Sequence, residues 1–112
     1  MSFYTVIVTQ LNNKKYILCA LEELKSKGEI TNFVHVEKKQ TIEVDRGGDI
    51  MNITMEKSGN YQVGGDNRVV NRFSDRLKQI YALESIKDNL PLDFEIAQET
   101  EIEGEIKILL KG

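Results

Sequence analysis

The chain has 112 residues, 40% hydrophobic and 29% charged, with a formal net charge of −3. This is the composition of one globular domain spanning residues 1–112, too apolar for a disordered chain and too short for two cores. No apolar run approaches the roughly 20 residues of a membrane span, and the single cysteine, Cys19, excludes an internal disulfide.

The opening stretch lacks the positively charged start and small-residue cleavage site of a signal peptide, which points to a cytoplasmic or organelle-stromal protein. Residues 3–9, FYTVIVT, are β-branched and aromatic with no helical period. Both faces carry apolar side chains, so a central strand is expected, covered on both sides or on one with Thr5 and Thr9 tolerated. Asn12 or Asn13 can then cap a helix running to about Lys27. Ile17, Ala20, Leu21 and Leu24 form its buried stripe, and Gly28 suits the left-handed residue that ends it.

Residues 32–45 alternate as one long bent strand or as two. Gly47-Gly48-Asp49 and Ser58-Gly59-Asn60 are turn signals on either side of a strand at 50–55, which makes 32–63 an antiparallel meander. Gly64-Gly65 is expected to break the sheet, with Asp66 or Asn67 capping the longest helical segment, residues 69–90. At about 100° per residue, Val70, Phe73, Leu77, Ile80 and Tyr81 share its apolar arc. Asn71, Arg72, Asp75, Lys78 and Gln79 face away, and Pro91 stops the helix. Two further strands, 94–100 and 105–110, surround a turn at Glu103-Gly104. The order β-α-β-β-β-α-β-β gives an α+β fold, a mainly antiparallel sheet with both helices packed on one face.

Candidate chemistry is sparse. His35 lies between two valines without the second histidine or cysteine cluster that zinc needs, so it is read as a partly exposed strand residue. Cys19 projects away from Leu21 and Leu24, with no base in view to activate it. Gly64-Gly65 before a helix could cradle an anion, but neither nucleotide-binding glycine motif is present. Glu95, Glu99, Glu101, Glu103 and Glu105 crowd the last hairpin. They read as a solvated face or a guard against edge pairing rather than as acid–base machinery. Together these features point away from an enzyme and give no catalytic, cofactor or metal-ligating residue.

Charge is unevenly distributed. Residues 1–92 carry 13 basic and 12 acidic groups, whereas residues 93–112 carry two basic and six acidic. An acidic chain is a poor general binder of phosphate backbones. Within the long helix, however, Arg68, Arg72 and Arg76 recur every four residues on a stripe continued by Leu83, Ile86 and Leu90. One explanation is internal: the last hairpin packs on the apolar part while its glutamates approach the arginines. The other is a docking face for a protein partner, formed by Arg68, Arg72, Arg76, Leu83 and Ile86, because arginine and large apolar residues favour interfaces. The resulting expectation is a non-enzymatic interaction or adaptor domain, with self-association left open. Its alternative is a nucleic-acid-binding module that uses the basic stripe.

Four patches also resemble a known family. The opening MSFYTVIVTQLNNKKYILCALEEL, the hairpin GDIMNITMEKSGNYQVGGD, the helix RFSDRLKQIYALESI and the strand pair around Glu103-Gly104 are similar to a family of small proteins of unknown function. That family includes the plastid and cyanobacterial ycf-type hypothetical protein number thirty-five. The chain departs from the family pattern at Phe3 and Glu84, where histidines are usual, at Ile80, where an arginine is usual, and in having no tryptophan. The resemblance implies a small cytoplasmic or stromal domain working beside an ATPase encoded nearby, and it implies no reaction.

Overall fold

The computed structural model of the protein describes residues 3–90, 95–102 and 105–111. In chain order its elements are β1 (Tyr4–Val8), α1 (Lys14–Ser26), β2 (Asn32–Val36), β3 (Thr41–Arg46), β4 (Asp49–Met55), β5 (Tyr61–Asp66), α2 (Asn67–Asp88), β6 (Glu95–Ile102) and β7 (Glu105–Lys111). The α+β class is as the periodicities predict. The stretch 32–45 resolves into two strands, because a short 3-10 turn at Glu37–Lys39 and a left-handed Gln40 reverse the chain between them.

Five strands form one antiparallel sheet in the order β1-β5-β4-β3-β2. From β1 the chain crosses by way of α1 to the far edge, then returns hairpin by hairpin until β5 pairs with β1. Gly47 and Gly48 both take positive φ in the two-residue turn between β3 and β4, a conformation that matches the twist of the strands it joins. The correction concerns β1, which is an edge strand and not a central one. Tyr4, Val6 and Val8 on its outer face are exposed.

The two helices cover the opposite face. Asn13 caps α1 through Lys15 N–H, and Asp66 caps α2 through Arg68 N–H. Ile17, Ala20, Leu21 and Leu24 of α1 meet Val70, Phe73, Leu77, Ile80 and Leu83 of α2 over Ile42, Val44, Met51, Ile53 and Val63 of the sheet. The start of α1 is pinned to the end of α2. Tyr16 donates to Asp88 at 2.8 Å, Lys15 reaches the same carboxylate at 3.2 Å, and Tyr16 and Tyr81 meet edge to face. These bonds hold Asp88 below the usual carboxylate range, the Tyr16 hydroxyl being the first cause.

Gly64 and Gly65 do not break the sheet; they lie inside β5, both paired with β1 and Gly64 also with β4. Their reason is close approach. A Cβ on Gly65 would stand 2.7 Å from Cγ of Met51, a residue wholly inside the core. A Cβ on Gly64 would meet only the ring end of Tyr4, which is exposed and can swing aside. Gly65→Ala is therefore expected to cost about 1–3 kcal/mol through overpacking, and Gly64→Ala much less. Urea unfolding of the two variants checks the order, and equal losses would contradict it.

The β6–β7 hairpin is separate from the main sheet and lies against the helices. Ile106 and Ile108 pack on the core, while Glu99 pairs with Lys87 at 3.2 Å and Glu101 with Lys27 at 3.1 Å. Phe94, Pro91 and the turn residues Glu103 and Gly104 lie outside the described residues. Among the described residues no helix is long and apolar enough to cross a membrane.

Candidate functional site

A groove of about 500 Å³ opens where the end of α1, the middle of α2 and the end of β3 meet. Leu24, Ile30 and Phe73 are its buried apolar floor, and Glu29, Arg46, Arg72, Asp75, Arg76 and Gln79 rise around it. Strand alternation explains Arg46: it follows Ile42 and Val44 on the helix-facing side of β3, at the point where the strand runs out from under the helices. Helical spacing explains the rest, because Arg72, Asp75, Arg76 and Gln79 lie within two turns of α2.

Arg76 is the fixed member. Its Nε lies 2.8 Å from Oε1 of Glu29, its Nη2 lies 2.8 Å from Oε2 of the same residue, and its Nη1 donates to Gln79 at 2.7 Å. Nη1 also pairs with the Glu101 carboxylate of β6. Only 15% of the Arg76 side chain is exposed. The hydrogen bonds to Glu29 and then Glu101 raise its pKa further above the ordinary arginine range. Glu101 is held below the usual carboxylate range, first by Arg76 and then by Lys27. This guanidinium is a clasp joining α2, the loop after α1 and the terminal hairpin. Forked bonding to two carboxylates is what arginine, rather than lysine, supplies.

Arg46 and Arg72 differ from it. Neither enters an ion pair among the described residues; Arg72 is exposed and Arg46 half-buried. The groove thus presents two available guanidinium groups over an apolar floor, with Arg76 already neutralised behind them. Such a surface can take a carboxylate or another planar anion attached to an apolar group. It holds no nucleophile paired with a base.

The residues of the arginine–apolar stripe separate in the structure. Arg68 folds back on Asp66 at 2.9 Å. Arg72 faces the groove, and Arg76 is claimed by Glu29 and Glu101. Leu83 is 2% exposed inside the core, whereas Ile86 is 43% exposed. Arg46 carries no sequence signal, since a lone arginine at a strand end is common. Only the sheet register brings it beside α2. His35 is half-buried and borders a second cleft of about 370 Å³ with Lys14, Glu37, Gln40 and Tyr61. Cys19 is exposed on α1 beside Lys15 and Asp88. Among the described residues no group of three or more histidine, cysteine or acidic side chains is placed to hold a metal ion.

Compared with protein-family models, with curated proteins and with solved structures, the chain finds no match in any of the three. The groove is therefore read from its own chemistry.

Proposed function

We propose that this chain is a non-catalytic interaction domain that docks a protein partner in the Arg46–Arg72 groove. The partner would contribute an acidic side chain next to a large apolar one. The observation that carries this reading is the pair Arg46 and Arg72, outside any ion pair among the described residues and set over Leu24, Ile30 and Phe73. Arginine beside buried apolar surface is the composition of an interface centre. The nucleic-acid alternative has less support, because Arg68 and Arg76 spend their charge on Asp66, Glu29 and Glu101. Arg46, Arg72 and Lys78 make a short phosphate footprint. A cytoplasmic or stromal location belongs to this proposal. The ATPase partner rests on the family resemblance alone.

A displayed peptide library tests the reading. Selection on the wild-type protein is expected to enrich peptides with Asp or Glu beside Phe or Leu. Arg46→Glu and Arg72→Glu should each weaken those peptides about tenfold or more, the worth of one charge-assisted contact. Enriched peptides without acidic residues, or undiminished binding by both variants, would refute it.

A further inference from the structure

At one end of the main sheet, four neighbouring strands turn side chains towards the start of α1. His35 of β2 pairs with Ile42 of β3, and Met55 of β4 with Tyr61 of β5. Ile42, Ile53 and Val63 lie side by side in the helix-side core. Strand alternation therefore puts His35, Met55 and Tyr61 on that same face. Lys14, the first residue of α1, and Glu37 and Gln40 of the turn after β2 complete the walls of a cleft of about 370 Å³. That volume is at the small end of the range for ligand sites, about 300–1,000 Å³.

The polar side chains of this cleft have no protein partner. Among the described residues, Lys14 and Glu37 enter no ion pair, and the side chains of His35, Gln40 and Tyr61 make no hydrogen bond. Tyr61 is the telling case. It is 5% exposed, and a phenol buried that far ordinarily bonds to protein. Its backbone N–H donates to Leu11 C=O at 2.7 Å, two residues before the Asn13 cap, which brings Tyr61 to the start of α1. Burial raises the Tyr61 pKa above the ordinary phenol range, so the hydroxyl keeps its proton and serves as a donor.

Charge is laid out along the cleft. Lys14, the positive end of the α1 dipole and the Tyr61 hydroxyl mark one end. Glu37 marks the other, beside His35 and Gln40. The apolar floor between them is Ile42 and Met55. Strand order separates Tyr61 from His35 by β4 and β3, so their backbones stand about 14 Å apart.

We propose that this cleft binds a dipeptide, its carboxylate held by Lys14 and the Tyr61 hydroxyl and its ammonium by Glu37. A plain anion would meet Glu37 unfavourably, and a plain cation would meet Lys14 so. A free amino acid carries both charges on one carbon and is too short to reach both ends. An extended dipeptide spans about 7 Å, and inward-reaching side chains close the remainder. His35 and Gln40 can each donate and accept, which suits the peptide unit in the middle. An apolar C-terminal side chain then rests on Ile42 and Met55. The site is independent of the arginine groove, with which it shares no lining residue.

His35 is the only histidine in the chain, so its ring protons are a resolved reporter in proton NMR. Titration with alanyl-leucine is expected to shift them along a saturable curve, with a Kd in the millimolar range or tighter. Acetyl-alanyl-leucine lacks the ammonium, alanyl-leucinamide lacks the carboxylate, and leucine lacks the length. Each should bind about tenfold or more weakly, the worth of one charge-assisted contact. Lys14→Gln, Glu37→Gln and Tyr61→Phe should weaken alanyl-leucine to a similar degree. Tyr61→Phe should do so with an unchanged urea midpoint, because the hydroxyl has no hydrogen bond in the protein to lose. Absence of a saturable shift with alanyl-leucine would overturn the proposal. So would equal binding of the blocked peptides or leucine, or undiminished binding by the three folded variants.

Discussion

Leu77→Ala is expected to lower stability by about 2–5 kcal/mol, since deletion of a buried leucine loses both transfer free energy and packing around the cavity it leaves. Leu77 has no exposed surface and lies in the core between the two helices and the sheet. Its neighbours Phe73 and Ile80 on the same arc of α2, and Leu21 and Leu24 on α1, belong to opposed elements and have little freedom to close over the gap. A domain of this size holds only about 5–15 kcal/mol in total, so the variant should unfold at markedly lower urea. Lys78→Ala, one residue on but facing solvent, is the control. Its effect should stay within about 0.5 kcal/mol. Similar losses for the two would mean that α2 does not bury the Leu77 face.

Arg76→Met should cost about 1–3 kcal/mol and loosen the terminal hairpin. Breaking a buried pair typically costs about 3–5 kcal/mol. Here the carboxylates left behind are 35% exposed at Glu29 and 27% at Glu101, so part of their hydration can be recovered. The pH dependence separates this clasp from ordinary packing. Glu101 has a lower pKa folded than unfolded, so its contribution is complete above the usual carboxylate range near 4.5. That contribution fades as the pH falls through the folded value. In Arg76→Met the main cause of that depression is gone. Wild-type stability should therefore fall more steeply than the variant's on acidification below about pH 5. Parallel acid profiles would show that the Arg76–Glu101 pair does not tie the hairpin down.

What could be read from the sequence was local and periodic. The α1 stripe, the α2 arc, both caps and the glycine turns at Gly47-Gly48 and Gly59 each depend on residues within a few positions of one another, and the structure reproduces them. What was hidden depends on distant segments. Apolar residues on both faces of 3–9 look the same whether the strand is central or lies on an edge with one face bare. Gly64-Gly65 carries the signature of a break, yet the side chain that requires a small residue at Gly65 is Met51, contributed by another strand. Arg72 and Arg76 are equivalent by helical spacing. Only the arrival of Glu29 and Glu101 makes one a structural clasp and leaves the other available. Leu83 could have been assigned to the core, three residues after Ile80 on the same arc. Arg46 could not, because β3 had to be placed against α2 before it joined the groove.

The division of labour between Arg72 and Arg76 is the claim on which the reading of the surface rests. Measuring urea unfolding and peptide capture on Arg72→Glu and Arg76→Met in parallel tests it most directly. Arg72→Glu should unfold with the wild-type midpoint while losing the acidic–apolar peptides, and Arg76→Met should shift to lower urea. An Arg72→Glu protein that captures those peptides as well as wild type, or that is destabilised as much as Arg76→Met, would contradict the assignment.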